Sequence, residues 1–177
     1  SDSDASATTT VATDTTTATT VAPPVVDPPE IEIDPATVYT ATIATNKGEI
    51  VAELDTEAAP TGAAHFIKLA RDGFYDGLTW HRVVDDFMIQ GGDPNGDGSG
   101  GSGASVVAEV PTDNYPIGSL AAAKAGPEPA GTYDAQFFVV TGSQGATLAN
   151  DYARFGFVVS GIEVAQERRR PCSIERA

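Results

Sequence analysis

Trp80-His81-Arg82-Val83-Val84-Asp85-Asp86-Phe87-Met88-Ile89-Gln90-Gly91-Gly92-Asp93 is the stretch that organises the reading of this 177-residue chain. Its first half alternates as a strand does, with successive side chains on opposite faces. Trp80, Arg82 and Val84 then share one face, and His81 and Val83 the other. Arg82 is a charge within an apolar strand, so it must snorkel, pair with an anion or line a functional groove. Phe87, Met88 and Gln90 follow at once, offering apolar surface and an amide able to orient a guanidinium. On the same geometry His81 points away from Arg82, which argues against a His/Asp catalytic pair with Asp85 or Asp86. From Gly91 to Gly103, seven of thirteen residues are glycine, which marks a loop.

Upstream, Tyr39–Thr45 and Glu49–Leu54 are β-prone runs joined by Asn46-Lys47-Gly48, the pattern of a hairpin with glycine in its turn. Thr56–Pro60 introduces a helix, with Pro60 tolerated in the first turn. Ala63, Phe66, Ile67 and Ala70 recur at helical spacing, and Gly73 follows where a left-handed cap is wanted. His65 on this helix is expected at the surface. Leu78–Val84 and Phe87–Gln90 read as two strands, and Ser119–Ala123, Gln136–Thr141 and Phe155–Ser160 as three more. Ile162–Arg169 suits a short second helix, with Arg168–Arg170 as its solvated end. Many short strands with two helices predict a mainly β, closed antiparallel barrel whose ends the helices cover.

The fourteen residues quoted first resemble the signature segment of the cyclophilins, which usually begins with Phe rather than Trp. Gln136-Phe137-Phe138-Val139-Val140-Thr141 is similar to that family's second motif, and Phe155-Gly156-Phe157-Val158-Val159-Ser160-Gly161 to its third. The likeness runs over about residues 38–167, in order and at the right spacing. It implies an eight-stranded barrel with two capping helices and a peptidyl-prolyl cis-trans isomerase acting on X–Pro bonds. By resemblance, Arg82 is the catalytic arginine and Gln90 positions it. Phe87, Met88, Phe138 and Leu148 form the proline pocket. Ala123 and Gln136 line the groove, and the backbone of Lys124 binds the substrate main chain. Tyr152 stands where many members have His, and Tyr occurs there in bacterial relatives. The reaction implied needs no metal or cofactor, and the partners implied are proline-containing peptides and folding proteins.

The chain also departs from the pattern. The usual Met-Ala-Asn-Ala-Gly-Pro run reads Ala122-Ala123-Lys124-Ala125-Gly126-Pro127, and the loop from there to Gln136 is longer than in the commonest members. Thr147 occupies the position of a Trp associated with cyclosporin binding, which argues against drug sensitivity. The family continues beyond its last helix into a strand that helps close the barrel. Here Pro171-Cys172-Ser173-Ile174-Glu175-Arg176-Ala177 has weak strand character, and an unpaired barrel edge would lower stability. These departures leave a second reading open, a proline-peptide binding module or holdase using the same groove without turnover. Asp93-Pro94-Asn95-Gly96-Asp97-Gly98 matches the opening of an EF-hand loop, but its twelfth position is Ala104 where a bidentate Glu is required.

Residues 1–37 form a separate unit by composition, ahead of the barrel domain at 38–177. Through residue 38 there is no Phe, Trp, Tyr, Leu, Met, Lys or Arg. Such a segment cannot bury enough apolar area to offset the entropy of ordering it, so a disordered acidic tether is expected. Of the formal net charge of −15, seven acidic residues lie in the tail, which leaves −8 for the rest. That disfavours nucleic acid and anionic membranes as partners and suits a soluble monomer. No run approaches the roughly 20 apolar residues of a membrane span. The Ser/Thr/Asp/Ala/Pro start suits the region after an export signal or lipid-anchor site, and an envelope-tethered protein is expected; a disordered cytoplasmic tail has the same composition. The single Cys172 excludes an internal disulfide.

Overall fold

The computed structural model describes residues 31–167 and 174–176. Most of the expected tether, and Arg168–Arg170, lie outside the described residues. Among those described are ten strands and two α-helices. β1 (Tyr39–Thr45) and β2 (Gly48–Leu54) form the expected hairpin, with Thr45 opposite Gly48. α1 follows (Pro60–Arg71), then β3 (Arg82–Val84) and β4 (Met88–Gly91). β5 (Val106–Val107), β6 (Ser119–Ala122), β7 (Thr132–Tyr133) and β8 (Phe137–Val140) come next. β9 (Arg154–Ser160), α2 (Ile162–Gln166) and β10 (Ile174–Arg176) complete the chain.

Eight strands make one antiparallel, curled sheet in the order β10-β1-β2-β9-β6-β8-β4-β3. β5 and β7 form a small second sheet that the strand pattern did not reveal. The closed barrel expected from sequence is present here as a half-barrel, because the ladder has two ends, β10 and β3. Among the described residues, β10 pairs with β1 at Ala44 and Thr45. On its other side Ile174 exchanges two backbone bonds with the segment ahead of β3. The Gly77 N–H donates to the Ile174 carbonyl at 2.9 Å, and the Ile174 N–H to the Leu78 carbonyl at 2.6 Å. The weak C-terminal run therefore does form a strand, only three residues long, with Ile174 fully buried.

Two apolar clusters lie on opposite faces of the central strands. The larger, between the curled sheet and α1, contains Ile43, Ile50, Phe66, Tyr75, Trp80, Leu120, Phe137, Val139, Phe155 and Ile174. The smaller contains Met88, Tyr115, Ala121, Phe138 and Val140. Strand alternation deals Phe137 and Val139 to the first and Phe138 and Val140 to the second. This is why the run reads as continuously apolar.

Three expectations need correction. The strand predicted over Leu78–Val84 begins only at Arg82. Trp80 lies ahead of the ladder and turns into the main core, its ring edge-on to Phe137 at 5.3 Å, so it does not share a face with Arg82. His65 is not a surface residue but 4% exposed. Seven of the twelve α1 residues are buried, because the helix packs against both β5 and β9. The His65 ring Nε2 hydrogen-bonds the Asp134 carbonyl, and the ring meets Tyr133 edge-on. Burial holds its pKa below the ordinary value.

α1 has no side-chain cap of its own. The Glu109 carboxylate instead accepts the Thr61 N–H at 3.1 Å and the Gly62 N–H at 3.2 Å, which satisfies orphan donors of the first turn from 48 residues away. Ile31 and Ile33 pack against the main core, and Asp34 closes a turn into β1 by accepting the Ala36 N–H at 2.9 Å.

Candidate active site

The β3–β4 hairpin places Arg82 directly opposite Gln90 and Val84 opposite Met88. The Arg82 guanidinium donates to the Gln90 amide oxygen at 3.1 Å. The Gln90 amide nitrogen donates to the Gln136 amide oxygen at 2.8 Å. Gln136 then donates to the carbonyls of Gly98 at 3.0 Å and Gly100 at 2.8 Å. Each amide oxygen faces a donor and each amide nitrogen an acceptor, so both orientations follow from the network. The result is a relay from an exposed guanidinium to the glycine-rich loop.

That loop is held from inside by Asp93, which is 1% exposed. Its two carboxylate oxygens accept the N–H groups of Asn95, Asp97, Gly98 and Gly100. Burial alone would raise the Asp93 carboxyl, but the amides of Asn95, Gly98 and Asp97 outweigh it and hold it below the ordinary value. The feature that resembled a calcium loop is thus a carboxylate whose acceptor positions are taken up by backbone. Gly92 brings the chain into this loop at φ 83°, where a Cβ would sit 2.4 Å from the Ala135 carbonyl oxygen.

Beside Arg82 lies a groove of about 250 Å³ lined by Arg82, Phe87, Met88, Gln90, Ala123, Lys124, Phe138, Leu148 and Tyr152. Nine of the ten residues singled out from sequence therefore meet in one place. The tenth, Gln136, lies behind Gln90 and reaches the groove through it. His81 does not line it, and both its ring nitrogens are buried. Larger clefts exist, one of about 630 Å³ between β1 and α1. The small groove is singled out by chemistry, since it sets an oriented, always-protonated donor against an apolar floor.

Several residues that shape the groove gave no signal in the sequence. Fully buried Tyr115 belongs to the cluster beneath it; its hydroxyl donates to the Tyr152 carbonyl at 2.7 Å and accepts the Tyr152 N–H at 3.1 Å. The Tyr152 ring stands edge-on to Phe138 at 5.6 Å. Asp86, at φ 53°, accepts the Ser143 N–H at 3.0 Å and the Ser143 hydroxyl at 2.8 Å. These bonds to Ser143 hold its carboxyl below the ordinary value. They tie the β3–β4 turn, and with it Phe87, to the turn after β8. Gly142 allows the approach, since a Cβ there would lie 2.1 Å from the Asp86 backbone.

The family model for cyclophilin type peptidyl-prolyl cis-trans isomerases matches residues 40–173. The chain belongs to the cyclophilin family. Among relatives of this cyclophilin is a peptidyl-prolyl cis-trans isomerase of Schizosaccharomyces pombe, 42% identical over 127 residues, a match covering 69% of this chain and 79% of the relative. A Streptococcus pyogenes protein named for both phosphatase and peptidyl-prolyl cis-trans isomerase activity is 40% identical over 120 residues, 66% of this chain; the match spans only 25% of that relative's length. Among solved structures, a Cryptosporidium parvum cyclophilin crystallised in the presence of the dipeptide Ala-Pro superposes with a TM-score of 0.67 at 26% identity. That match covers 78% of this chain and 96% of the other.

Proposed function

We propose that this cyclophilin accelerates rotation about X–Pro bonds with Arg82 as its catalytic donor. The observation that carries this is the Arg82 guanidinium, braced by Gln90 at 3.1 Å, at the side of an apolar groove. An X–Pro bond turns slowly because amide resonance must be broken, against a barrier of about 18–20 kcal/mol. At the twisted transition state the prolyl nitrogen regains its lone pair. A donor aimed at that nitrogen binds the transition state better than the planar ground state, which is what lowers a barrier. Arginine suits the task because it stays protonated and its donors are rigidly splayed. Phe87, Met88, Phe138 and Leu148 hold the ring and exclude water, which strengthens the electrostatic contact. About 4 kcal/mol of selective stabilisation supplies roughly a thousandfold. The Lys124 main chain pairs with the substrate main chain, and Tyr152 walls the groove.

The substrates are proline-containing segments of folding proteins. The acidic tail, which carries no basic residue, supports an exported, tethered protein; cell fractionation tests this. The two bonds of Ile174 to Gly77 and Leu78 support closure of the barrel through β10.

The deciding experiment is cis–trans exchange of an Ala-Pro peptide by NMR. The intact chain accelerates exchange, and Arg82→Ala lowers that acceleration about a hundredfold or more. A folded parent that shifts on peptide addition without accelerating exchange is a binding module, not an enzyme.

A further inference from the structure

Lys124 is half-buried as a residue, yet its side chain is only 2% exposed. The surface it shows to the groove is therefore its main chain. Ala123 still belongs to the sheet framework, its N–H donating to the Gln136 carbonyl at 2.8 Å. Lys124 is the first residue beyond it, and among the described residues no hydrogen bond uses its N–H or its carbonyl. An unpaired donor and acceptor at a groove's lip are what an extended peptide needs to pair with.

The side chain turns the other way and is enclosed. Its ammonium lies 2.7 Å from the Asp151 carboxylate, 3.0 Å from the Glu128 carbonyl and 3.5 Å from the Ala125 carbonyl. It also stands over the Tyr152 ring, 5.6 Å from its centroid. Glu128 closes the loop on itself, its carboxylate accepting the Ala125 N–H at 2.5 Å while its own N–H donates to the Ala125 carbonyl at 3.1 Å. Asp151 is tied to the far end of the same loop, its carbonyl accepting the Gly131 N–H at 3.0 Å. An ammonium has three donors, and here each faces an acceptor.

We propose that the Lys124 side chain, with Asp151 and Glu128, is an internal anchor that positions the Lys124 main chain at the groove's lip. These three are positioning residues, and they set how tightly the peptide is held rather than how fast its bond turns. The proposal rests on the isomerase reading in one respect, that the groove binds the peptide main chain. The pair is asymmetric. Removing the carboxylate strands an enclosed ammonium, whereas removing the ammonium leaves Asp151, whose side chain is 41% exposed, to be solvated. Lys124→Met is therefore the variant that keeps its fold, and Asp151→Asn the one that loses thermal stability.

The test uses the full chain and an Ala-Pro tetrapeptide, with NMR titration for Kd and exchange at saturating peptide for turnover. Lys124→Met raises Kd about five- to tenfold, a larger change than in turnover at saturation. Adding Asp151→Asn to Lys124→Met raises Kd no further, because the pair acts as one unit. An unchanged Kd in folded Lys124→Met overturns the proposal and leaves the isomerase reading intact. So does a loss confined to turnover at saturation. A parent that binds no peptide overturns both.

Discussion

Arg82, Gln90 and Gln136 share one geometry but not one role. Arg82 faces the groove, Gln90 braces it at 3.1 Å, and Gln136 fixes which way Gln90 points by accepting its amide N–H at 2.8 Å. Replacing Gln136 with Ala leaves Gln90 free to flip and present its NH₂ to the guanidinium. The expected result is a loss of about fivefold in turnover with peptide Kd nearly unchanged, since one oriented hydrogen bond is worth about 1 kcal/mol. Exchange measured at saturating peptide checks this; a change confined to Kd would instead place Gln136 on the substrate. A guanidinium carries its proton throughout the working range, and the mechanism uses no other ionisable group. Turnover is therefore expected to be flat between about pH 6 and 8, and a bell-shaped profile from a protein shown to be folded would contradict the arginine mechanism.

Among elements, the turns and the shortest strand carry most of what is specific to this chain. Asp86 and Gly142 lock two turns together and so seat Phe87, while Glu109 caps α1 from a distant loop. β10 is three residues long, yet Ile174 is fully buried and bonds through its backbone to residues 77 and 78. Ile174→Ala is expected to cost about 2–5 kcal/mol, the range for truncating a buried aliphatic side chain. Chemical denaturation reads it directly. A change below about 0.5 kcal/mol would mean that β10 adds little to the core.

At the scale of the whole molecule, its buried titratable rings shape stability against pH. Burial lowers the pKa of His65 in the folded state. The unfolded chain then takes up the proton first, so stability falls as pH drops below about 6.5. Burial also raises Tyr75 and Tyr133. Above about pH 10 the unfolded chain loses its phenolic protons first, so stability falls there too. A plateau between these limits is expected in urea midpoints measured against pH, and His65→Gln should flatten the first fall below 6.5. The sequence by itself determined the hairpin, α1, the central strands and nearly all of the groove. Local alternation and glycine placement are properties of the chain, and the family motifs are contiguous. It could not place Gln136 behind Gln90, bury His65 or turn Trp80 inward, because each depends on which distant surface packs alongside. It also could not show that Ile174 completes a strand, or that Lys124 spends its charge on Asp151. Those partners lie tens of residues away, and only the tertiary structure decides which polar groups meet out of water.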